Sequence, residues 1–273
     1  LYYKETMFNI LYFTHISFHH NLTKIDVSLN PKPHCHSMYE ILFVIKGNNE
    51  FLIENKTYKV TDNSLFIFPP ETYHTLLHNP DENYERCIMY FDQNLIPPCL
   101  TIETNLNVIV SDEIKALFLK FDKFADEFET DALYYLLISF LHELLLRVTS
   151  SRQDSISHSN LPALVKQTVN YINQNLDQPL NLNVISQNLF VSKSHLCHIF
   201  LKNMQISIMD FIRMKKMYRA QNLLSRGFSP TQVSKLLSYD SYSTFLRNYK
   251  AIFHANPSVN EVEEKILNDF TKE

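Results

Sequence analysis

Cysteine is scarce and scattered in this 273-residue chain: Cys35, Cys87, Cys99 and Cys197 form no C-x-x-C pair and no metal-finger spacing. That excludes a disulfide framework and suits free thiols in a reducing compartment. The opening residues, LYYKETMFNILYF, contain no basic stretch followed by a long apolar core, so no secretion signal is expected in them. The missing initiator Met points to a trimmed or engineered end. A long unbroken apolar run is absent too. The longest, around Leu133 to Leu146, is interrupted by Ser139, His142 and Glu143, which argues against a membrane span and for a cytoplasmic protein. What is present is ordinary for a folded chain, 45% hydrophobic and 20% charged, at a length that suits two domains and a connector.

Negative charge is almost missing from one region. Between Leu161 and Asn260 there are eleven bases against three acids, an excess of eight positive charges. The tail after Asn260 carries −3 and the first 160 residues −9, which gives the total of −4. A basic block in an acidic chain is the footprint of a phosphate-backbone partner, although a solvated Lys-rich surface would read the same way.

From Phe8 to Cys99 the pattern is one of short strands. Runs such as Glu40–Ile45, Glu50–Ile53 and Ser64–Phe68 are separated by turn-forming clusters, which predicts an antiparallel barrel or sandwich. From Ser111 the period becomes helical. Leu133, Leu136, Leu137, Phe140, Leu141, Leu144 and Leu145 form one apolar stripe, packed either on the chain's own barrel or on the same helix of a second subunit. The division is a barrel over 1–110, a helical connector over 111–149, a polar linker over 150–160, a helical domain over 161–260 and an acidic tail over 261–273. The fold class is α+β.

The helical domain contains an internal repeat, offset by 48 to 49 residues. NLNVISQNLFV (181–191) followed by SKSHLCHIF (192–200) matches SPTQVSKLLSYD (229–240) followed by SYSTFLRNY (241–249). Each half predicts a short helix opened by Asn181 or by Ser229-Pro230, and a second helix capped by Ser192 or Ser241. Ser186 and Ser234 are small enough to let the two helices cross closely. Leu196 with Phe200, and Phe245 with Tyr249, are four apart and pin each second helix inward, leaving its opposite face free. This is the helix-turn-helix arrangement, whose second helix enters a major groove about 12 Å wide. The segment Ile208 to Leu224 reads as a rigid helical spacer between the two units.

The series Tyr171-Ile-Asn-Gln-Asn, Pro179-Leu-Asn-Leu, Ile185-Ser, Ser192, Leu196, Phe200, Phe211, Lys216-Met, Ala220, Leu223-Leu224, Val233-Ser, Phe245, Tyr249-Lys and Pro257 resembles the AraC/XylS family of transcription regulators. The resemblance covers the hundred or so residues before the tail. It implies double-stranded DNA as partner, and contacts from Lys193, Ser194, Cys197 and His198 in the first recognition helix. In the second they would come from Tyr242, Ser243, Leu246 and Arg247. Arg247 is the foremost base-contact candidate, while Lys193, Lys202 and Lys250 suit phosphates. His198 stands where the family often has Arg. The family also favours glycine where this chain has Gln205, Ser238 and His254. Only two glycines occur in the whole sequence. A left-handed backbone at Gln205 or Ser238 would cost about 1 kcal/mol, so looser turns or a less stable domain are expected. Asn256 and Asn260 are further departures.

In the front region, His34-Cys-His36-Ser-Met-Tyr-Glu40 forms an H-x-H-x-x-x-E pattern with Gly47 seven residues beyond Glu40, and a second segment ends at His74 after Pro69-Pro70. Residues of equal parity share a face of a strand, so His34, His36 and Glu40 would point into one space. The pattern resembles the two cupin motifs, with Glu71 in place of the usual Gly and His78 in place of Asn. His34, His36, Tyr39, Glu40 and His74 are the candidate ligand contacts, and Tyr39, Phe43, Phe66, Phe68 and Tyr73 either wall a pocket for a small organic effector or are core. No metal cofactor is favoured; if one is held, its ligands would be His34, His36, Glu40 and His74.

The family resemblance implies a homodimer through the connector and RNA polymerase as a further partner. The leading reading is a sequence-specific transcription regulator, modulated by a small molecule in the barrel, and not an enzyme. A metal-dependent cupin enzyme and a protein-binding helical adaptor are the alternatives.

Overall fold

The run Glu40 to Ile45 shows no polar alternation because both of its faces are covered. In β3 (Tyr39–Lys46) every residue but the last is buried. Ile41, Phe43 and Ile45 pack toward helices on one side, Leu42 and Val44 toward the barrel interior on the other. A strand covered twice reads as a continuous apolar run. The computed structural model describes residues 5–13, 15–24, 33–77, 83–102, 106–150, 157–158 and 161–257. His78, most of the linker expected at 150–160, Asn260 and the acidic tail lie outside the described residues.

β3 belongs to a six-stranded antiparallel sheet together with β1 (Glu5–Phe13), β2 (Ile16–Lys24), β6 (Ser64–Phe68), β8 (Asn83–Phe91) and β9 (Leu106–Ile109), in the order β1-β2-β8-β3-β6-β9. A smaller sheet is ordered β10 (Ser157–His158), β5 (Lys56–Val60), β4 (Asn49–Ile53), β7 (His74–Leu77). Phe51 and Ile53 of the small sheet share one core with Leu42, Phe66 and Phe68 of the large one, so the two sheets face each other as the expected antiparallel barrel. Strand structure extends past Cys99, since β9 pairs with β6. Within the expected linker, Ser157 and His158 pair with Tyr58 and Thr57 at the edge of the small sheet.

The outer face of the large sheet is covered by α1 (Asp112–Glu127) and α2 (Thr130–Ser150). Leu137, Leu141, Leu144 and Leu145 are fully buried with Ile41, Phe43 and Met89. The apolar stripe therefore packs on its own barrel, and the connector is part of the barrel's core rather than a separate layer. By length and composition α2 is the one described helix that could cross a membrane, over Thr130–Thr149. Its apolar face is instead turned onto the sheet.

The rest of the described chain is helical: α3 (Ala163–Gln174), α4 (Leu182–Asn188), α5 (Lys193–Met204), α6 (Ile208–Ser225), α7 (Pro230–Leu236) and α8 (Tyr242–Phe253). The caps are those expected. Asn181, Ser192 and Ser241 each accept from the backbone N–H three residues on, and Ser229 forms a reciprocal capping box with Gln232. Leu196 and Phe200 lie in one core, Phe245 and Tyr249 in a second. Between them runs α6, 18 residues and so about 27 Å long. Its first half joins one core and its second half the other.

The missing glycines leave non-glycine residues in left-handed backbone: Gln205 (φ 58°), Ser238 (φ 52°) and His254 (φ 53°), and also Phe190 (φ 56°). The turns are nevertheless closed, not loose. Gln205 N–H donates to Leu201 O at 3.0 Å, His254 N–H to Lys250 O at 2.9 Å, and Tyr239 N–H to Ser234 O at 3.0 Å. Ser238 adds a contact that glycine could not make, its hydroxyl donating to Asp177 O at 2.5 Å.

Candidate nucleic-acid interface and ligand pocket

α5 and α8 each bury one face and present the other to solvent. On α5, Lys193, Ser194, His198 and Lys202 are exposed and Cys197 is half-buried; on α8, Tyr242, Ser243, Arg247 and Lys250 are exposed and Leu246 is half-buried. The first turn of α5 also exposes His195, and Leu201 is 53% exposed one turn beyond Cys197. Neither was named from the sequence. The i, i+3, i+4, i+7 row through Ser194 would have found Leu201.

The positive charge of this domain is not all turned to solvent. Lys215 is buried, and its Nζ donates to Glu54 Oε1 at 2.6 Å and to Glu71 O at 2.5 Å. Arg219 Nε donates to Glu71 Oε2 at 2.7 Å. Lys216, also buried, donates to Gln178 O at 3.0 Å and Leu237 O at 2.7 Å, tying the entry to α4 to the end of α7. Arg213 pairs with Asp210 on its own helix. The charge excess therefore overstates the face available to phosphate.

Two of these residues join the helical domain to the barrel. Glu54, at the β4–β5 turn, accepts from Lys215 and the Tyr73 N–H through Oε1, and from Asn173 Nδ2 through Oε2 at 2.8 Å. Burial is the largest influence on the Lys215 pKa and lowers it, but Glu54 foremost, together with Cys35 and Glu71, outweighs it and holds the ammonium above its ordinary range. Burial raises the Glu71 carboxyl against the pull of Arg219. Tyr73 OH donates to Met204 O at 2.5 Å, and its ring meets Phe211 edge-on at 5.1 Å. Cys35, Leu52 and Tyr73 complete a core that is otherwise made of helical-domain residues. Burial pushes the Cys35 thiol well up, leaving it as a small inert hydrophobe.

The expected His/Glu constellation does assemble. The ligand atoms of His34, His36 and His74 lie within 4.8 Å of one another, and Glu40 Oε2 is 3.1 Å from Nε2 of both His36 and His74. His34 and His74 exchange backbone hydrogen bonds, which fixes their approach. Burial disfavours the charge on Glu40, but His74 and then His36 outweigh it and hold the carboxyl well below the usual range. Around the cluster stand Tyr90, 4.9 Å from His36, and Phe68, stacked on His74 at 4.4 Å. Gly47 keeps the interior ring of Tyr84 in place, since a Cβ there would stand 2.9 Å from Tyr84 Cδ2.

Tyr39 is a correction. Its ring stacks on Phe91, its hydroxyl donates to Ile102 O, and it belongs to the helix-facing core. Being next to Glu40 on a strand, it must point the opposite way. Phe43 faces the helices as well, and Tyr73 faces the helical domain, so of the five candidate aromatics Phe66 and Phe68 line the interior. His19, buried and not foreseen, is depressed to about 4 by burial and Arg86. Its place in β2 gave no sign of this, because a strand at a sheet's interior cannot be told from an edge by its own residues.

Residues 29–138 match the family described as AraC-like ligand binding domain, and residues 185–259 match a helix-turn-helix domain family. The HTH-type transcriptional regulator YfiF of Bacillus subtilis is 22% identical, over 83% of this chain and 77% of its own length. The arabinose operon regulatory protein of Salmonella typhimurium is 23% identical, over 81% of this chain and 82% of its own. Among solved structures, an apo ToxT variant from Vibrio cholerae gives a TM-score of 0.42 at 14% identity, covering 91% of this chain and 97% of that one. The two matched domains follow one another in the order of the barrel and the paired recognition helices, and the chain belongs to the AraC family of DNA-binding transcription regulators, with a ligand-binding domain in front.

Proposed function

We propose that α5 and α8 read two successive major-groove faces of one duplex, and that occupancy of the His34/His36/Glu40/His74 pocket alters how firmly the first unit is held against the barrel. The observation that carries this is an alternation along two segments. His34 and His36 line the pocket while Cys35 between them packs into the helical domain's core. His74 lines the pocket while Tyr73 before it bonds Met204, and the Glu71 N–H donates to His36 O at 2.7 Å. A shift of either segment on loading is therefore felt by Tyr73 and Glu71, and through them by α5 and α6. Only a differential affinity worth about 1–3 kcal/mol is needed.

Arg247 is the base reader in this account and Lys193, Lys202 and Lys250 are phosphate contacts. The barrel senses and does not catalyse, in keeping with its relatives' naming as transcriptional regulators. The deciding experiment compares residues 161–273 with the whole chain in DNA titrations at several salt concentrations. The fragment is expected to bind with a steep salt dependence and no effector response. A folded fragment without affinity for any duplex would overturn the proposal.

A homodimer would use the outer face of α2, where Tyr135 is 69% and Leu146 43% exposed, and would set two copies on repeated half-sites beside RNA polymerase. Leu146→Asp is expected to yield folded monomers in sedimentation, whereas Leu141→Asp, at a fully buried position, is expected to unfold the barrel.

A further inference from the structure

Two stretches of chain from different helix-turn-helix units meet beside the middle of α6. Lys216 is buried there, where α6 passes from the first core, to which it gives Met214, to the second, to which it gives Met217. Its Nζ donates to Gln178 O at 3.0 Å, in the connection between α3 and α4, and to Leu237 O at 2.7 Å. It also stands 5.4 Å from the centre of the Tyr239 ring. An ammonium has three donors, and two carbonyls and one ring face match them in number. Leu237 caps the end of α7, where carbonyls lack partners within the helix and the dipole is negative. Beside it, the Ser238 hydroxyl donates to Asp177 O at 2.5 Å. Residues 177–178 of the first unit are thus clasped to residues 237–239 of the second. Tyr218, two positions on, projects nearly opposite Lys216. On that side the join is apolar, with Tyr218 and Ile252 each packed against both cores.

Apolar contact is non-directional and lets surfaces slide, whereas hydrogen bonds hold a distance and an angle. A buried charge adds little net stability over an apolar side chain of like volume. Resting on the reading that α5 and α8 address one duplex, we infer that Lys216 and Ser238 are positioning residues. They set the spacing and angle between the two recognition helices, and so the separation between the two sets of bases the protein accepts. In this role neither side chain touches DNA. One added base pair moves a half-site by about 3.4 Å along the duplex and about 35° around it. A clasped pair of helices cannot follow that displacement. An unclasped pair, turning on Tyr218 and Ile252, can.

The test uses the full chain to enrich duplexes from a random-sequence pool, after which one base pair is inserted or deleted between the two protected groove segments. Wild type is expected to lose about 10-fold or more in affinity for the altered spacing, on the scale of a mismatched base pair. Lys216→Met, which keeps the aliphatic stem and removes the donors, is expected to lose about 3-fold or less, with Ser238→Ala in between. On the unaltered duplex both variants should keep the wild-type salt dependence, since no phosphate contact is removed. Circular dichroism checks folding; should Lys216→Met not fold, Ser238→Ala, which removes one hydroxyl from a half-buried turn, decides alone. Folded variants that retain the wild-type spacing penalty overturn the clasp and leave the reading of one duplex by two helices standing. A salt slope lowered by about one in Lys216→Met assigns that side chain to phosphate and overturns it too. A wild-type chain indifferent to spacing overturns both the clasp and the reading beneath it.

Discussion

The two helix-turn-helix units are built alike and held differently. Both have an N-capped short helix, a small buried serine at the crossing, and a second helix pinned by residues four apart. The core of the second unit, with Val233, Phe245 and Tyr249, contains helical-domain residues alone among those described. The core of the first also takes in Cys35, Leu52 and Tyr73 of the barrel. Repeated units of near-equal local design thus differ in what controls them. The first is braced by another domain through buried hydrogen bonds and charge, while the second stands on α6 and its own packing. Control by a ligand in the barrel would then act on the first unit directly and on the second by way of the spacer.

The largest break in this asymmetry is expected from Lys215→Ala. It leaves Glu54 facing the interface without its cation, at a cost of about 3–5 kcal/mol by analogy with other broken buried pairs. Hydrogen exchange should quicken in α3, α5 and the first half of α6 and stay unchanged in α7 and α8. Equal acceleration of both units would refute the difference.

Acid should also act on the barrel before the second unit. His19 is depressed from 6.5 to about 4, so the unfolded chain takes up this proton first. Its contribution is complete above pH 6.5 and is lost as pH falls toward 4, about 3 kcal/mol in all. His19→Gln should flatten that slope in urea titrations taken at successive pH values.

Smaller effects separate the two reading heads. Arg247→Ala should cost about 1–3 kcal/mol at the cognate site and relax base preference there; Lys193→Ala should weaken all sequences alike and lower the salt slope by about one. A sequence preference unchanged by loss of Arg247 would remove it as a base reader. Smallest of all, Gln205→Gly and His254→Gly relieve left-handed backbone at equivalent points of the two units. Each is expected to raise stability by up to about 1 kcal/mol, read from thermal melts.

Much of the helical domain was readable residue by residue, because its signals are local. Ser229 finds Gln232 three residues away, and the Leu196–Phe200 pair needs only the helical period. The barrel was harder. His34, His36 and Glu40 do converge, but not by the parity of one strand. β3 begins at Tyr39, a bend at 37–38 precedes it, and His34 is placed by its bridge to His74. Within β3, parity turns Tyr39 away from Glu40 and into the helix-facing core. The count of bases in the block is right, but Lys215 and Lys216 are buried within the protein, and Arg219, though exposed, is paired with Glu71.

Caps and helical faces follow from spacings of a few residues and the tandem repeat from a fixed offset, all of which any reader of the chain can measure, whereas the histidine cluster closes only when His34 bridges to His74. Which charges face solvent, and which recognition helix is tethered, depends on partners such as Glu54 and Lys215, 161 positions apart. No periodicity carries that information, because it exists only where the barrel and the helical domain bury side chains against each other.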